Sequence, residues 1–322
     1  MAGGGVFLPA PAGGEFPAVT LPAAREEPRA GEDPPVAAAV SGGRRVAGGA
    51  RLSYESTPSG PTVLRRQWVR PPLHLGKTYH DRGWALHQWA TPTAGLLAGD
   101  SLAMEVELGR GAHAALLSPA ACRVHRMGPD EVATLRQHYR VGPEGALEVW
   151  PAPLVLQAGA ACVQDTVLFV DGSAALLWIE VVAPGRSRYG GGESFAFREW
   201  KSRFRLERDG QLVALERFRV RPEGGEPADW RARFPEGPYA SLYCLGTAPA
   251  EEGSVVERLH ALAGEDLRVG ASPLEGGGLG VKLLGRDPLA LRRGIAMARG
   301  LLRGALQWPV LSSLERAQTY FS

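Results

Sequence analysis

The 322-residue chain is poor in sulfur, with three cysteines and four methionines. Cys122, Cys162 and Cys244 are scattered, odd in number and form no C-x-x-C pair. That excludes a disulfide framework and points to buried thiols in a reducing compartment. Charge of one sign is lacking too: 36 Lys and Arg stand against 34 Asp and Glu, a formal net charge of +2. The molecule as a whole therefore has no electrostatic footprint for nucleic acid. No apolar run is long enough to span a bilayer; the most apolar, Ala174 to Val182, is short and carries Glu180. An early basic region leading into an apolar run is also missing, since the first basic residue is Arg25. The expectation is a cytoplasmic protein with no membrane and no nucleic-acid partner. Three catalytic signatures are absent as well. Without GxSxG, HExxH or GxxxxGK[ST], the commonest hydrolase, zincin and P-loop mechanisms lose their sequence support.

What the chain has in quantity is turn residues, 42 Gly and 26 Pro, alongside an ordinary 44% hydrophobic and 22% charged composition. Residues 1–50 are mostly Ala, Gly and Pro, without Trp or Tyr or a sustained period. Such a stretch buries too little to offset its ordering entropy, so a disordered tail is expected there, with one domain over 51–322. From Arg51 the signal is strand after strand. Val63 to Val69 is rich in strand formers, and Leu102, Met104, Val106 and Leu108 alternate with polar or small residues. A turn at Gly109-Arg110-Gly111 is expected to return Ala112 to Leu117 beside that strand. Leu135 to Val141 and Leu147 to Trp150 flank another turn; Thr166 to Val170 and Ala174 to Val182 flank Asp171-Gly172. Trp200 to Glu207 and Leu212 to Val220 read as a hairpin around Asp209-Gly210. Strands every ten or so residues, with little helical period between them, predict a mainly β fold: sandwich, barrel or β-helix.

Residues 222–238 are polar and Gly/Pro-rich, a long loop. Beyond it, Ser254 with Glu257 forms a capping-box pattern for a short helix ending at Gly264. Ser272 to Gly280 reads as a glycine-rich loop. Asp287-Pro288 opens a second helix, with Asp as N-cap and Pro in the first turn. Leu291, Ile295, Ala298, Leu302 and Leu306 make its apolar stripe; Arg292, Arg293, Arg299 and Arg303 make a basic face.

Candidate chemistry is sparse. Cys122 and His125 form a C-x-x-H pair whose thiolate and imidazole would suit nickel, zinc or copper. Residues three apart on a strand point to opposite faces, so chelation there needs a turn, and a buried Cys beside a surface His is the plainer reading. His74, His80 and His87 share one segment at a spacing that fits neither helix nor strand ligation. Asp100 ends the turn Gly95 to Asp100; it caps that turn or offers a carboxylate to a polar channel. Glu193 follows the run Gly190-Gly191-Gly192, a loop that exposes it for either a structural or a functional role. The triple glycine is no phosphate cradle, because no Lys-Ser/Thr follows it.

Four segments in order resemble the urease accessory protein family UreD, also called UreH. Gly95-Leu96-Leu97-Ala98-Gly99-Asp100 is similar to the family's G-G-L-x-x-G-D. Leu116 to Arg126 stands where the family has T-T-x-x-A-T-K-x-Y-R. Leu147 to Pro151 with Leu154 to Ala158 matches L-x-W-L-P-Q-E and its apolar sequel. Gly185-Arg186 with Gly192-Glu193 and Phe195 resembles G-R-x-x-x-G-E-x-F. Gly280 to Gly285 and the following helix fit in position. The chain departs at Pro153, where the family has Glu, and at Cys122 to Arg126, which replaces Thr-Lys-x-Tyr-Arg.

The resemblance implies a β-helix-like, strand-rich body with about two C-terminal helices. It implies a non-enzymatic maturation factor that binds apo-urease and UreF, reaches the GTPase UreG through UreF, and passes nickel toward the urease active site. No cofactor is held tightly; nickel is in transit. Asp100, Glu193 and His125 are its candidate path residues, and the basic C-terminal helix a candidate partner surface. A β-helix or sandwich carbohydrate-active hydrolase, with paired carboxylates such as Glu105 and Glu107, is one competing reading. A generic β-rich interaction module is the other.

Overall fold

The computed structural model describes residues 45–58, 60–91, 95–187, 189–190, 192–222, 237–246 and 249–313. The expected tail lies outside the described residues as far as position 44. Its last part is strand: β1 (Ala47–Ser56) opens inside the stretch whose composition suggested disorder. Close packing explains the glycines there. A Cβ on Gly49 would sit 2.2 Å from the Ala103 carbonyl oxygen, and one on Gly48 would sit 2.4 Å from Pro72. These glycines allow close backbone approach rather than disorder.

After β1 come β2 (Thr62–Arg70), β3 (His74–Leu75), β4 (Tyr79–Asp81) and β5 (Trp84–Ala90). The body of the fold is then β6 (Ser101–Leu108), β7 (His113–Leu117), β8 (Cys122–Val124), β9 (Ala133–Val141), β10 (Ala146–Trp150), β11 (Leu154–Leu156), β12 (Ala161–Val170), β13 (Ala175–Ala183), β14 (Glu199–Arg208) and β15 (Gln211–Val220). β16 (Tyr239–Leu245), α1 (Pro249–His260), β17 (Leu267–Pro273), β18 (Leu279–Gly285) and α2 (Pro288–Ala305) close the chain.

Two sheets hold these strands. The first runs β15-β14-β12-β9-β6-β1-β2, and the second follows the path β17-β18-β16-β13-β10-β7-β5-β3. From β5 to β14 the chain steps between them, and each new strand lies parallel to its predecessor in its own sheet. That is a β-helix. β8 and β11 pair in parallel, and Leu96 bridges Val124, making a third short stack at one corner.

The turn signals are therefore corners rather than hairpins. Gly142 N donates to the Leu108 carbonyl, Asp171 N to that of Val141, and Asp209 N to that of Val170, so successive corners stack rung on rung. The expectation that Ala112 to Leu117 returns beside β6 fails for this reason: β7 crosses to the second sheet and pairs with β5 and β10. Among the described residues, true hairpins close the two ends of the first sheet, β1–β2 and β14–β15. Asp209 and Gly210, with φ of 50° and 74°, join antiparallel β14 and β15 as the sequence predicts.

Inside the β-helix, identical register positions stack into ladders. Leu52, Val106, Tyr139, Leu168 and Leu206 line up across the first sheet. Ala114, Leu147, Leu176 and Leu245 do so across the second. Tyr139 packs edge-on against Trp178 at 5.0 Å, and Phe204 stacks on Tyr243 at 4.3 Å. A second apolar core lies between the outer face of the second sheet and the helices, and a third surrounds the corner stack.

Both expected helices exist, with changes. α2 starts where predicted: the Asp287 side chain accepts from Ala290 N at 2.8 Å. Its basic face does not hold, because Arg299 and Arg303 are buried, 4% and 7% exposed, against β10. α1 starts at Pro249 rather than at the capping box, leaving Ser254 within the helix. Glu251 and Glu252 in its first turn complement the helix dipole instead. The expected loop over 272–280 is confined to the connection between β17 and β18, which form an antiparallel pair. The expected loop over 222–238 falls mostly outside the described residues. Among the described residues no helix is long and apolar enough to cross a membrane.

Candidate functional site

A polar seam crosses the mainly apolar interior of this β-helix. On the second sheet, Glu180 of β13, Ser241 of β16 and Lys282 of β18 occupy one register row. On the first, Gln164 of β12 and Ser202 of β14 form the matching row, and both are buried. Gln164 donates to the Glu180 carboxylate and accepts from Trp200 Nε1 at 3.3 Å. Lys282 Nζ forms an ion pair with Glu216 of β15 and donates to Ser241 Oγ at 2.8 Å and Tyr243 Oη at 3.0 Å. Gln137 and Thr166 extend the seam, bonded to each other at 3.4 Å.

Burial sets the chemistry of these groups. Glu180 is pushed up to about 7, first by burial and then by repulsion from Glu216, with Lys282 and the Gln164 hydrogen bond pulling the other way. It is thus poised between its neutral and charged forms near neutral pH. Burial draws the Lys282 ammonium down, and Glu216 opposes that. Beside Glu180 lies a cavity of about 20 Å³, lined also by Gln137, Gln164, Cys122 and Ser118. It has room for about one water molecule.

The residues singled out from sequence sit elsewhere, around the corner stack. Asp100 is buried and its carboxylate is committed to backbone: Oδ1 accepts from Val46 N and Oδ2 from Leu97 N, each at 2.9 Å. The turn-cap role is therefore filled. His125 follows β8, and its amide donates to the Leu96 carbonyl at 3.0 Å, so it lies one residue beyond the rung that Asp100 braces. Glu193 takes two hydrogen bonds from Arg186, at 2.8 and 2.5 Å. Those bonds chiefly, with the Ala158 amide and the nearby Arg126 charge, hold its carboxyl below the usual range.

The loop around Glu193 is built for that pairing. Gly185 has φ of +148°, and a Cβ there would lie 2.3 Å from the Glu193 carbonyl oxygen. Arg186 also lies over the Tyr189 ring at 3.5 Å. The three candidates thus share one corner of the β-helix without forming a cluster. Among the described residues, no group of three or more His, Cys, Asp or Glu side chains gathers to hold a metal. Cys122 faces the corner core, and burial pushes its thiol up to about 11, so it is protonated at neutral pH.

Sequence reasoning passed over the seam. Its one visible signal is Glu180, a lone carboxylate inside the most apolar run of the chain. Lys282 and Glu216 gave none, because each looks like an ordinary strand charge until the two sheets close.

The family model described as UreD urease accessory protein matches residues 46–313. Curated relatives agree. The chain is similar to the urease accessory protein UreD of Opitutus terrae, 33% identical over 254 residues, 76% of this chain and 90% of the relative. The corresponding protein of Sorangium cellulosum is 32% identical over 252 residues, 77% of this chain and 76% of the relative. That of Actinobacillus pleuropneumoniae serotype 5b is 30% identical over 243 residues, covering 72% and 88%.

Proposed function

Because the chain belongs to the UreD urease accessory protein family, with a role in urease maturation, we propose that it acts as a non-enzymatic cytoplasmic scaffold that binds apo-urease and UreF, engages UreG through UreF, and assists nickel insertion. Nickel is cargo here. Carboxylate, hydroxyl, imidazole and water ligands hold a borderline cation loosely enough for release.

The observation that supports an interior route is the Glu180 seam. It is a polar row inside a mainly apolar β-helix, with a carboxyl poised near neutrality beside a water-sized cavity. A carboxyl with a value near 7 can release its proton as a cation arrives, so that the incoming charge displaces another at the site. Asp100, Glu193 and His125 lie toward the corner end of the same body and are proposed as ligands there. Asp100 is committed to backbone and Glu193 to Arg186, so each would serve through its second lone pairs or by exchanging partner.

The test uses the complex with UreF. Asp100→Ala, Glu193→Ala and Glu180→Gln should each leave that complex intact and lower the nickel content of matured urease. Unchanged nickel loading across the three would remove the route.

A further inference from the structure

On the second sheet the Glu180 row continues past Glu180. Gln88 pairs with Leu117, Leu117 with Trp150, and Val149 with Trp178. Those offsets, carried on to the strand ends, bring Trp89, Ser118 and Pro151 into the row of Glu180. All four residues line the cavity of about 20 Å³. Trp89 is 5% exposed, and its indole Nε1 is buried without a hydrogen-bond acceptor. Native structures seldom leave a buried donor unpaired, because it loses water and gains nothing in exchange. Trp178 Nε1 is buried and unpaired as well, but that ring packs against Tyr139 and Phe204 and is not among the described residues that line the cavity.

The walls decide what the cavity can hold. Room for about one water molecule excludes a polyatomic ion. An N–H donor calls for an acceptor, which a bare cation is not. A small anion would give up its hydration for a single indole donor while facing the Glu180 carboxyl. A neutral water meets the indole with its oxygen and has two protons to give. Glu180 Oε1 accepts from Gln164, which leaves Oε2 as an acceptor. Ser118 Oγ donates to the Ala120 carbonyl at 3.3 Å and keeps its own lone pairs. Three polar neighbours are the usual number around a buried water.

We propose that this cavity is a binding site for one ordered water, which accepts from Trp89 Nε1 and donates to Glu180 and Ser118. The water joins Trp89 to the polar row, so that the seam ends in a hydrogen bond rather than in an orphaned donor. The site stands on the cavity and the indole, apart from the maturation reading.

The test uses the full chain, isotope-labelled at the indole nitrogens of its eight tryptophans, with the Trp89 signal assigned by its loss in Trp89→Phe. NOE and ROE cross-peaks between the indole proton and water should appear for Trp89 with opposite signs, as for a water that tumbles with the protein. They should be lacking for Trp178. Ala152→Val and Ala152→Leu add carbons to the cavity wall. In either variant the Trp89 cross-peaks should be lost while the Trp178 indole signal stays in place. Where neither variant folds, the contrast between Trp89 and Trp178 in the parent decides. The proposal is overturned if Trp89 shows no cross-peak, if the two signs agree and so mark proton exchange with bulk solvent, or if Trp178 shows the same cross-peaks. Cross-peaks that persist in the folded variants overturn it too, by assigning them to a wall hydroxyl. A Trp89 signal that shifts under xenon marks a dry apolar void and likewise overturns it.

Discussion

Glu148 on β10 and Arg299 on α2, 151 residues apart in the chain, meet in an ion pair that is almost wholly buried. Arg303, one turn further along α2, takes the other Glu148 oxygen and also donates to the Pro309 carbonyl at 2.5 Å. The pair fastens α2 to the second sheet, and α2 packs on the strands that carry Ser241 and Lys282. Glu148→Ala would strand two guanidinium groups away from water. A loss of about 3–5 kcal/mol is expected from uncompensated buried charge, read as a lower urea midpoint with an unchanged slope. Replacing Glu148 by Leu together with Arg299 and Arg303 by Met should cost much less, because no buried charge is left unpaired.

Glu180 gives a signed pH dependence. Its folded-state value of about 7 lies above the ordinary carboxyl value, so the folded chain binds the proton more tightly. This contribution is fully present below about pH 4.5 and is lost as pH rises through 7. In Glu180→Gln the decline across that window should flatten, and stability at pH 8 should match or exceed the parent. Parallel urea titrations of the two proteins from pH 5 to pH 8 provide the comparison. Identical slopes would mean that Glu180 is not held protonated.

His87 acts in the opposite sense. Its ring bridges Tyr54 Oη at 2.9 Å and Thr78 Oγ1 at 2.7 Å, and burial first, then His80, lowers it to about 4. A group depressed on folding favours the folded state above its unfolded value of about 6.5, and this contribution is lost as pH falls toward 4. An imidazole resonance that stays in its neutral position at pH 5.5 while exposed histidines titrate would bear this out. A midpoint near 6.5 would contradict it.

Much of this fold is legible in sequence because its strands alternate faces. β6 reads directly from Leu102, Met104, Val106 and Leu108, all buried. The β14–β15 hairpin reads from Asp209-Gly210, and α2 from Asp287-Pro288. Local pattern does not report which sheet a strand joins, so the corner at Gly109 looks like a hairpin turn. Arg299 and Arg303 show the same limit for the site. Helical period places them beside the apolar stripe, but Glu148 on a distant strand decides that they go inside. Asp100 and Glu193 were visible through their turn and glycine context, whereas the Glu180 row exists only once β13, β16 and β18 are aligned.

Gly185 should tolerate no side chain. Its positive φ and the 2.3 Å approach to the Glu193 carbonyl oxygen both penalise alanine. Gly185→Ala is expected to cost roughly 1–3 kcal/mol and to loosen the Arg186–Glu193 pair. Faster proteolysis within residues 184–196 than in the parent would register that loosening. Unchanged cleavage and stability would show that the loop conformation is set elsewhere.

Reconstitution of urease shows whether this chain promotes its maturation. Apo-urease would be incubated with nickel, GTP, UreF and UreG, with and without this protein, and its bound nickel and urea hydrolysis measured. Both should rise only when this chain is present, and both should be reduced with Glu180→Gln. Equal activation in its absence would contradict that role.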